Sequence, residues 1–141
     1  FIVGYPGETD SDFNDTLNLV KEIKFINSYS FIFSARPGTP ASKLKPIDQE
    51  VAKKRLILIQ SNLESHQLKK NESLIDSSIE VLVENKLNNQ NKYFGRNLFL
   101  NSVIFDGEDK YVGKLVYVKI KNINRNTLFG KIDENKNMRA A

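Results

Sequence analysis

The sequence predicts a chain of the α/β class that ends in a small antiparallel β-barrel. Over residues 1–71, short apolar runs alternate with stretches in which apolar residues recur at helical spacing. From about residue 73 the apolar residues alternate with polar ones, and turn-like segments separate the short runs. We therefore predict a partial β/α architecture over residues 1–71, a barrel over 72–133 and a polar tail over 134–141.

The first predicted unit is a strand, a turn and a helix. Phe1 to Val3 is an apolar run that ends at Gly4-Tyr5-Pro6-Gly7, a combination typical of turns. Thr9 to Asp12 offers N-cap candidates, and acidic groups there favour a helix start. We predict a helix over residues 11–24. Its apolar face consists of Phe13, Leu17, Val20 and Ile23.

A second strand and helix repeat this order. Tyr29 to Ser34 is rich in aromatic and β-branched residues, so we expect a buried strand there. Residues 35–46 contain three prolines and a glycine and are predicted to be a loop. A helix over 48–70 follows, with the apolar stripe Ala52, Leu56, Ile59 and Leu63. Such units imply parallel strands. Two of them cannot complete a sheet, so we expect the missing partners to lie before residue 1.

The second half predicts four or five short antiparallel strands. Ile79 to Glu84 and Val116 to Lys121 alternate apolar with polar side chains. Phe99 to Phe105 and Thr127 to Ile132 are two further apolar runs, and an Asn-rich turn-like segment occupies residues 85–92. Short strands separated by turns over about 60 residues are typical of a small closed barrel.

Composition limits the chemistry that these residues support. The chain has no cysteine and a single histidine, His66. Disulfides, thiolate catalysis and a cysteine-ligated metal are therefore excluded, and a His-based metal site or a Ser-His-Asp arrangement is close to excluded. We predict no catalytic and no metal-binding residue in this chain. The net charge of +4 is mild, so by itself it barely favours nucleic acid as a partner.

Neither a membrane span nor a signal peptide is predicted. No apolar run approaches the roughly 20 residues of a transmembrane helix, and no basic segment precedes Phe1-Ile2-Val3. A cytoplasmic location fits these features. The chain has no initiator methionine and opens in a strand-like run, so we expect an N-terminal portion of the same polypeptide to be missing.

Two segments that follow strands are candidate binding sites. The turn Gly4 to Glu8 lies where β/α barrels build active sites, and its glycines let the backbone approach a ligand closely. An ordinary tight turn explains the same residues, and spacing alone favours it. In the loop Ser34 to Ala41, Arg36 offers a cationic fork for phosphate or carboxylate, and Thr39 offers a hydroxyl. A rigid connector with a solvated arginine explains that loop equally well.

The ordered set of motifs resembles the radical-SAM methylthiotransferases. The segments Phe1 to Thr9, Asp12-Phe13, Thr16-Leu17 and Phe31 to Ala41 are similar to the closing part of that family's radical-SAM barrel. Residues 73–132 resemble its TRAM domain, an OB-like barrel. The matching pieces are Ile79 to Glu84, Gly95-Arg96, Gly113 to Val116 and Leu128 to Gly130.

Two details favour the tRNA-modifying members of this family. The loop Arg36 to Ala41 is closer to those members than to the branch that modifies a ribosomal-protein aspartate. Gly95-Arg96 leans toward the branch that converts N6-isopentenyladenosine at position 37 of tRNA to its 2-methylthio form.

The resemblance implies S-adenosylmethionine and two [4Fe-4S] clusters as cofactors of the full-length parent. One cluster would cleave S-adenosylmethionine to a radical, and the second would serve sulfur insertion. The family's cluster cysteines lie upstream, so this chain alone should be inert. The turn residues Gly4, Pro6, Gly7 and Glu8 would lie near the adenine of S-adenosylmethionine. Arg36 and Thr39 would lie at the substrate mouth.

For the barrel, the resemblance implies tRNA as the partner. Lys119 and Lys121 share a strand face with Tyr117, so phosphates could follow the lysines and a base could stack on the ring. The expected RNA-binding residues are Arg96, Lys114, Tyr117, Lys119, Lys121 and Arg125. A charged outer face without RNA is the alternative for each of them. We expect Lys53-Lys54-Arg55 to be a solvated helix face and His66 to be a surface residue.

Other functions remain open at this point. Residues 71–141 could act as a stand-alone RNA-binding module. A sister enzyme could act on threonylcarbamoyladenosine in tRNA or on a ribosomal protein. An RNA uracil methyltransferase can also carry a TRAM domain, but there the domain usually precedes the catalytic part.

Overall fold

The computed structural model describes residues 1–88 and 91–136, and the chain divides into two compact units, Phe1–Gln67 and Leu68–Ala141. Parts of the predicted turn at 85–92 and of the predicted tail at 134–141 lie outside the described residues, namely 89–90 and 137–141. In chain order the helices and strands are β1 (Ile2–Val3), α1 (Asp10–Ile23), β2 (Phe31–Ile32), α2 (Gln49–Glu72), β3 (Ser78–Lys86), β4 (Lys92–Asn97), β5 (Ser102–Asp106), β6 (Leu115–Ile123) and β7 (Thr127–Ile132).

The first unit has the predicted strand–helix–strand–helix order. β1 and β2 pair in parallel, with Ile2 opposite Phe31 and Val3 opposite Ile32, which confirms the predicted strand direction. Three of the four apolar residues predicted for the first helix are buried, and the stripe of α2 also faces inward. The buried cluster consists of Val3, Phe13, Leu17, Val20, Ile59 and Leu63, with Leu56 packed against it.

A capping box starts α1 at the predicted N-cap. The backbone N–H of Asp12 donates to the Thr9 hydroxyl, and the backbone N–H of Thr9 donates to the Asp12 carboxylate at 2.8 Å. Lys24 takes a left-handed conformation and ends the helix. The prediction that Ile23 belongs to the buried face is wrong. Ile23 is the last helical residue, next to the point where the chain leaves the helix, and it is exposed.

The predicted buried strand from Tyr29 to Ser34 is also wrong in length and in burial. Only Phe31 and Ile32 form strand, and both Tyr29 and Phe31 are exposed. Among the described residues β2 has a single strand neighbour, β1, so one of its two edges has no sheet partner. His66 on α2 is half-buried rather than on the surface. Its Nδ1 atom is buried and has no hydrogen-bond partner in the part of the chain that the structure describes.

The second unit is a closed barrel of five strands in the order β3-β4-β5-β7-β6. Most neighbours are antiparallel, but β5 and β7 pair in parallel, with Ser102 opposite Thr127. The prediction of a purely antiparallel barrel is therefore wrong at this pair, which closes the sheet between strands that are not consecutive in sequence. Strand β4 was not predicted, and the predicted run Phe99 to Phe105 becomes strand only at Ser102.

Alternating side chains fill the barrel, as the period-two pattern predicts. The core residues are Val81, Val83, Tyr93, Val103, Phe105, Val116, Val118, Ile120 and Leu128. Strand β4 lies very close to its neighbour β3 at Gly95, which pairs with Val83. A Cβ atom placed there would lie 2.3 Å from the carbonyl oxygen of Leu82, so only glycine fits this crossing.

Candidate functional site

The Gly4–Glu8 turn is folded on itself and against α2. Gly4 and Gly7 have φ values of 76° and 91°, in the region that favours glycine. The Gly4 N–H donates to the Glu8 carboxylate at 2.8 Å. A Cβ atom on Gly4 would lie 2.9 Å from the Cβ of Ala52, so the turn approaches α2 too closely for a larger residue. At Gly7, by contrast, no described atom beyond Gly7 itself and its two chain neighbours lies within 4 Å of that position.

Arg55 of α2 holds this turn, which corrects the prediction of a solvated face for Lys53-Lys54-Arg55. Its side chain is 8% exposed. Nη1 donates to the Glu8 carboxylate at 2.6 Å and to the Glu8 carbonyl at 3.1 Å, and Nη2 donates to the Asp10 carboxylate at 2.6 Å. The guanidinium carbon also lies 5.5 Å from the ring centroid of Phe13. These partners offset the loss of hydration that burial of a guanidinium entails.

The four predicted cofactor residues therefore differ in their exposure. Gly4 and Pro6 are buried, and the Glu8 carboxylate is occupied by Gly4 and Arg55. Gly7 alone of the four is exposed. Beside it, the half-exposed Tyr5 ring makes an edge contact with Phe33, with 4.9 Å between the ring centroids. The open surface of the turn thus consists of the Gly7 backbone and an aromatic pair.

The second candidate loop forms a compact turn. Both the hydroxyl and the backbone N–H of Thr39 donate to the Arg36 carbonyl, at 2.8 and 3.2 Å. A short 3₁₀ helix over Pro40–Lys43 follows. Arg36 is exposed and Thr39 is half-buried. The loop therefore presents the guanidinium of Arg36 to solvent on a backbone that is already ordered.

Three of the predicted RNA-binding residues lie together on β6. Tyr117, Lys119 and Lys121 alternate outward, and Lys119 pairs in register with Lys131 of β7. We call Tyr117, Lys119, Lys121 and Lys131 the lysine face. The face borders an open cleft of about 880 Å³ that is lined by Lys119, Lys121, Lys131, Ile132, Asp133, Glu134, Asn135 and Lys136. Four lysines against two acidic residues give this cleft a positive balance.

Acidic neighbours reduce the charge of the lysine face. The Lys121 ammonium donates to the Asp76 carboxylate at 2.9 Å, and this bond holds the pKa of Asp76 below its usual range. The Lys136 ammonium lies 4.3 Å from the ring centroid of Tyr117. A base that stacked on this side of Tyr117 would have to displace that ammonium, so stacking and phosphate binding are coupled at this point.

The other three predicted residues lie elsewhere on the barrel. The guanidinium of Arg96 pairs with Glu84 at 3.1 Å and lies 5.4 Å from the ring centroid of Phe94. Lys114 precedes β6 and Arg125 follows it, so the two lie beyond opposite ends of this nine-residue strand. The six predicted residues therefore do not form one patch.

Comparison with known proteins assigns the barrel to a family. Residues 73–132 match the TRAM domain model, and this range spans all five strands of the closed barrel. The second unit is therefore similar to the TRAM domain over these residues. The small OB-like barrel predicted for this region is thereby confirmed.

The whole chain is similar to proteins named tRNA-2-methylthio-N(6)-dimethylallyladenosine synthase. The one from Pelagibacter ubique is 50% identical over 141 residues, which is all of this chain and 32% of that relative. Those from Wolbachia pipientis and Ruthia magnifica are 41% and 39% identical over 133 residues, which cover 92% and 94% of this chain and 30% of each relative. The chain thus spans about a third of the length of these relatives. The resemblance to the methylthiotransferases is confirmed.

Sequence reasoning missed several residues near the candidate sites. Lys131 of the lysine face and Lys136 both line the cleft, and Arg55 reaches the Gly4–Glu8 turn from 47 residues away. Lys131 could have been found from the alternation of β7, whereas no local pattern marks Arg55 as buried. Among residues 1–88 and 91–136 no group of three or more His, Cys, Asp or Glu side chains could hold a metal ion. No described helix is both long enough and apolar enough to cross a membrane.

Proposed function

We propose that this chain is part of an enzyme that adds a methylthio group to C2 of N6-isopentenyladenosine at position 37 of tRNA. The observation that carries the proposal is the 50% identity over all 141 residues to a relative whose name states this type of product. Residues 1–71 would supply part of a radical-SAM barrel, and residues 72–133 would bind tRNA. Such an enzyme would work in the cytoplasm, where its tRNA is found.

S-adenosylmethionine and two [4Fe-4S] clusters would supply the radical and sulfur chemistry in the parent polypeptide. The chain contains no cysteine, so the cluster ligands have to come from the remainder of that polypeptide. We expect the chain alone to be inactive for this reason. Its contribution to the reaction is to bind and orient the cofactor and the tRNA.

The Gly4–Glu8 turn fits the role of a cofactor contact. Gly7 offers an exposed backbone with open space around it, so a ligand can approach the peptide closely. Arg55 and the Glu8 carboxylate hold the turn in this form, which lowers the entropy lost when a ligand binds. Arg36, exposed on an ordered loop, suits an anionic group of the substrate. Thr39 supports the backbone of Arg36, and the oxygen of its hydroxyl can still accept a hydrogen bond.

Nucleoside mass spectrometry tests the proposed reaction. Total tRNA is digested from a strain that lacks the parent gene and from the same strain with the gene restored. Loss of 2-methylthio-isopentenyladenosine, with accumulation of the form without sulfur, is the expected result. If that nucleoside persists in the deletion strain, the substrate is threonylcarbamoyladenosine in tRNA or a protein, and the proposal is wrong for this branch.

The lysine face supports the proposal that the barrel binds tRNA by ionic contacts. We expect the Lys119→Gln, Lys121→Gln double variant to bind tRNA more weakly, with a salt dependence smaller by about one counterion for each lost phosphate contact. Because Asp76 already offsets part of the Lys121 charge, the loss at Lys119 should be larger than that at Lys121. Lys53→Gln, which removes an exposed ion pair on α2, is the matched control. Equal binding by the double variant and this control would exclude the lysine face.

A further inference from the structure

The turn between β4 and β5 carries three consecutive exposed apolar residues. Leu98, Phe99 and Leu100 are 88%, 48% and 67% exposed. We call these residues the apolar tip. Single exposed apolar residues are common on protein surfaces, but a contiguous group of large ones marks an interaction site. Neither the core of the TRAM barrel nor the lysine face uses these side chains.

The backbone of the apolar tip is held in one conformation. The Asn97 side-chain oxygen accepts from the N–H groups of Phe99 and Asn101, at 3.0 and 2.9 Å. The side-chain amide of Asn101 donates to that of Asn71, which is buried at the end of α2, at 3.4 Å. These bonds hold the tip in place before any partner arrives, so little entropy is lost when one binds.

Leu100 occupies a backbone conformation that leucine disfavours. Its φ is 61°, in the left-handed region where glycine and asparagine are favoured and a residue with a larger side chain is strained. The side chain is also exposed, so burial within the domain does not compensate for this strain. Contact with a partner would bury the exposed two thirds of this side chain and so offset the backbone strain.

Basic groups surround the apolar tip. The Lys70 ammonium lies 5.8 Å from the ring centroid of Phe99, and Nη1 of Arg96 lies 3.5 Å from the Leu100 carbonyl oxygen. The turn between β6 and β7 lies at the same end of the barrel, because the Arg125 carbonyl accepts from Asn71 at 3.2 Å. Aromatic and aliphatic surface with cations on its border is complementary to a nucleobase with its phosphates. The same positive border is a poor match for a purely apolar partner.

We propose that the apolar tip binds an unpaired nucleotide of RNA. The base displaces the Lys70 ammonium from the ring of Phe99, stacks there and packs against Leu98 and Leu100. Adjacent phosphates contact the displaced Lys70, Arg125 and Arg96, and they compete with Glu84 for the Arg96 guanidinium. The inference rests on the RNA binding proposed above and adds a second contact to it, separate from the lysine face. Because a base in a duplex is already stacked and paired, this contact selects for single-stranded segments.

Binding measurements on the 141-residue chain test the proposal. The probes are a short RNA hairpin with an unpaired loop and a fully paired RNA duplex, both followed by fluorescence anisotropy. We expect Phe99→Ser to weaken hairpin binding on the order of tenfold, because a base–aromatic stack is lost. Duplex binding and the salt dependence should stay unchanged. Leu100→Asn, which suits the left-handed backbone, should weaken hairpin binding without loss of fold.

One further variant serves as a control, and another tests the proposed phosphate contact of Lys70. Val112→Ser removes an exposed apolar residue near the start of β6, at the opposite end of the barrel, and should bind both probes as the natural chain does. Lys70→Gln should weaken hairpin binding and lower its salt dependence by about one counterion, and it should leave duplex binding unchanged.

The outcomes separate this proposal from the proposed function. If Phe99→Ser leaves hairpin binding unchanged while the Lys119, Lys121 variant weakens it, the apolar tip is not an RNA contact and the proposed function stands. If the natural chain binds neither probe, RNA binding by this chain is wrong and this inference falls with it. Equal weakening of hairpin and duplex by Phe99→Ser overturns base stacking. If that substitution instead converts a dimer to a monomer and leaves RNA binding unchanged, the partner is a second copy of the chain.

Discussion

Removal of the Arg55 guanidinium tests how the Gly4–Glu8 turn is held. We consider Arg55→Gln, which keeps a polar side chain but removes the charge and most of the donors. The Glu8 carboxylate is only 11% exposed, so the substitution leaves a largely buried anion with the Gly4 N–H as its remaining partner. The Asp10 carboxylate is 91% exposed and returns to water with little loss.

The expected loss of unfolding free energy in Arg55→Gln follows from this difference in burial between Glu8 and Asp10. Removal of one partner of a buried ion pair costs about 3–5 kcal/mol, whereas an exposed pair contributes about 0–1 kcal/mol. Because Glu8 lies in a surface turn and can rotate partly into solvent, we expect the lower end, about 3 kcal/mol. Arg55→Lys retains the charge but not the forked geometry, so its cost should be intermediate.

Urea denaturation followed by circular dichroism at the helix band measures this cost, because α1 and most of α2 belong to the first unit. Lys53→Gln on the same helix is the control. Lys53 and Glu50 form an exposed pair, with side chains 55% and 71% exposed, so this change should cost about 0.5 kcal/mol or less. If Arg55→Gln costs no more than Lys53→Gln, the buried pair does not stabilise the turn. A double-mutant cycle with Glu8→Gln should give a coupling of at least about 1.5 kcal/mol, since the two groups are in direct contact.

Three further predictions concern helix capping, barrel closure and pH. Thr9→Ala removes the hydroxyl half of the capping box and should lower the unfolding free energy by about 1 kcal/mol in the same urea assay. Gly95→Ala places a Cβ atom 2.3 Å from the Leu82 carbonyl oxygen, so the strands must separate, at a cost of about 2–3 kcal/mol in a thermal melt of the barrel. The Tyr93 hydroxyl bond holds the pKa of Asp109 below its usual value of 3.8. The folded state then binds fewer protons than the unfolded state, so stability falls as the pH drops below about 4, and Asp109→Asn should flatten this fall.

Each of these three has a result that would contradict it. If Thr9→Ala lowers the unfolding free energy no more than Thr16→Ala, which changes a threonine inside α1, the capping box does not stabilise the helix. If the Gly95→Ala barrel melts at the same temperature as the natural barrel, the strands can separate at this position without loss of stability. A pH profile of Asp109→Asn that falls as steeply as that of the natural chain would assign acid sensitivity to other carboxylates.

The helices and much of the barrel could be predicted because their signals are local. The stripe Ala52, Ile59 and Leu63 repeats at helical spacing, and the strand from Thr127 to Ile132 has the bounds that its apolar run predicts. The capping box at Thr9 depends on residues three positions apart.

Features that depend on distant neighbours could not be predicted in the same way. Strand β4 was missed because its sequence, Lys-Tyr-Phe-Gly-Arg-Asn, contains few apolar residues and a glycine that only a close crossing with β3 explains. Phe31 was predicted to be buried because of its residue type, but it is exposed. Burial also requires a neighbouring element that covers the side chain.

The sequence by itself determined the strand–helix–strand–helix order of the first unit, the family resemblance and the absence of thiolate ligands, because these depend on residue identity and spacing. The tertiary structure alone decided the parallel β5–β7 pair and the burial of Arg55 against Glu8. It also decided the separation of the six predicted RNA contacts and the position of the apolar tip. The physical reason is that pairing, burial and charge neutralisation each require a partner in space, and the chain brings those partners together across tens of residues without a local signal.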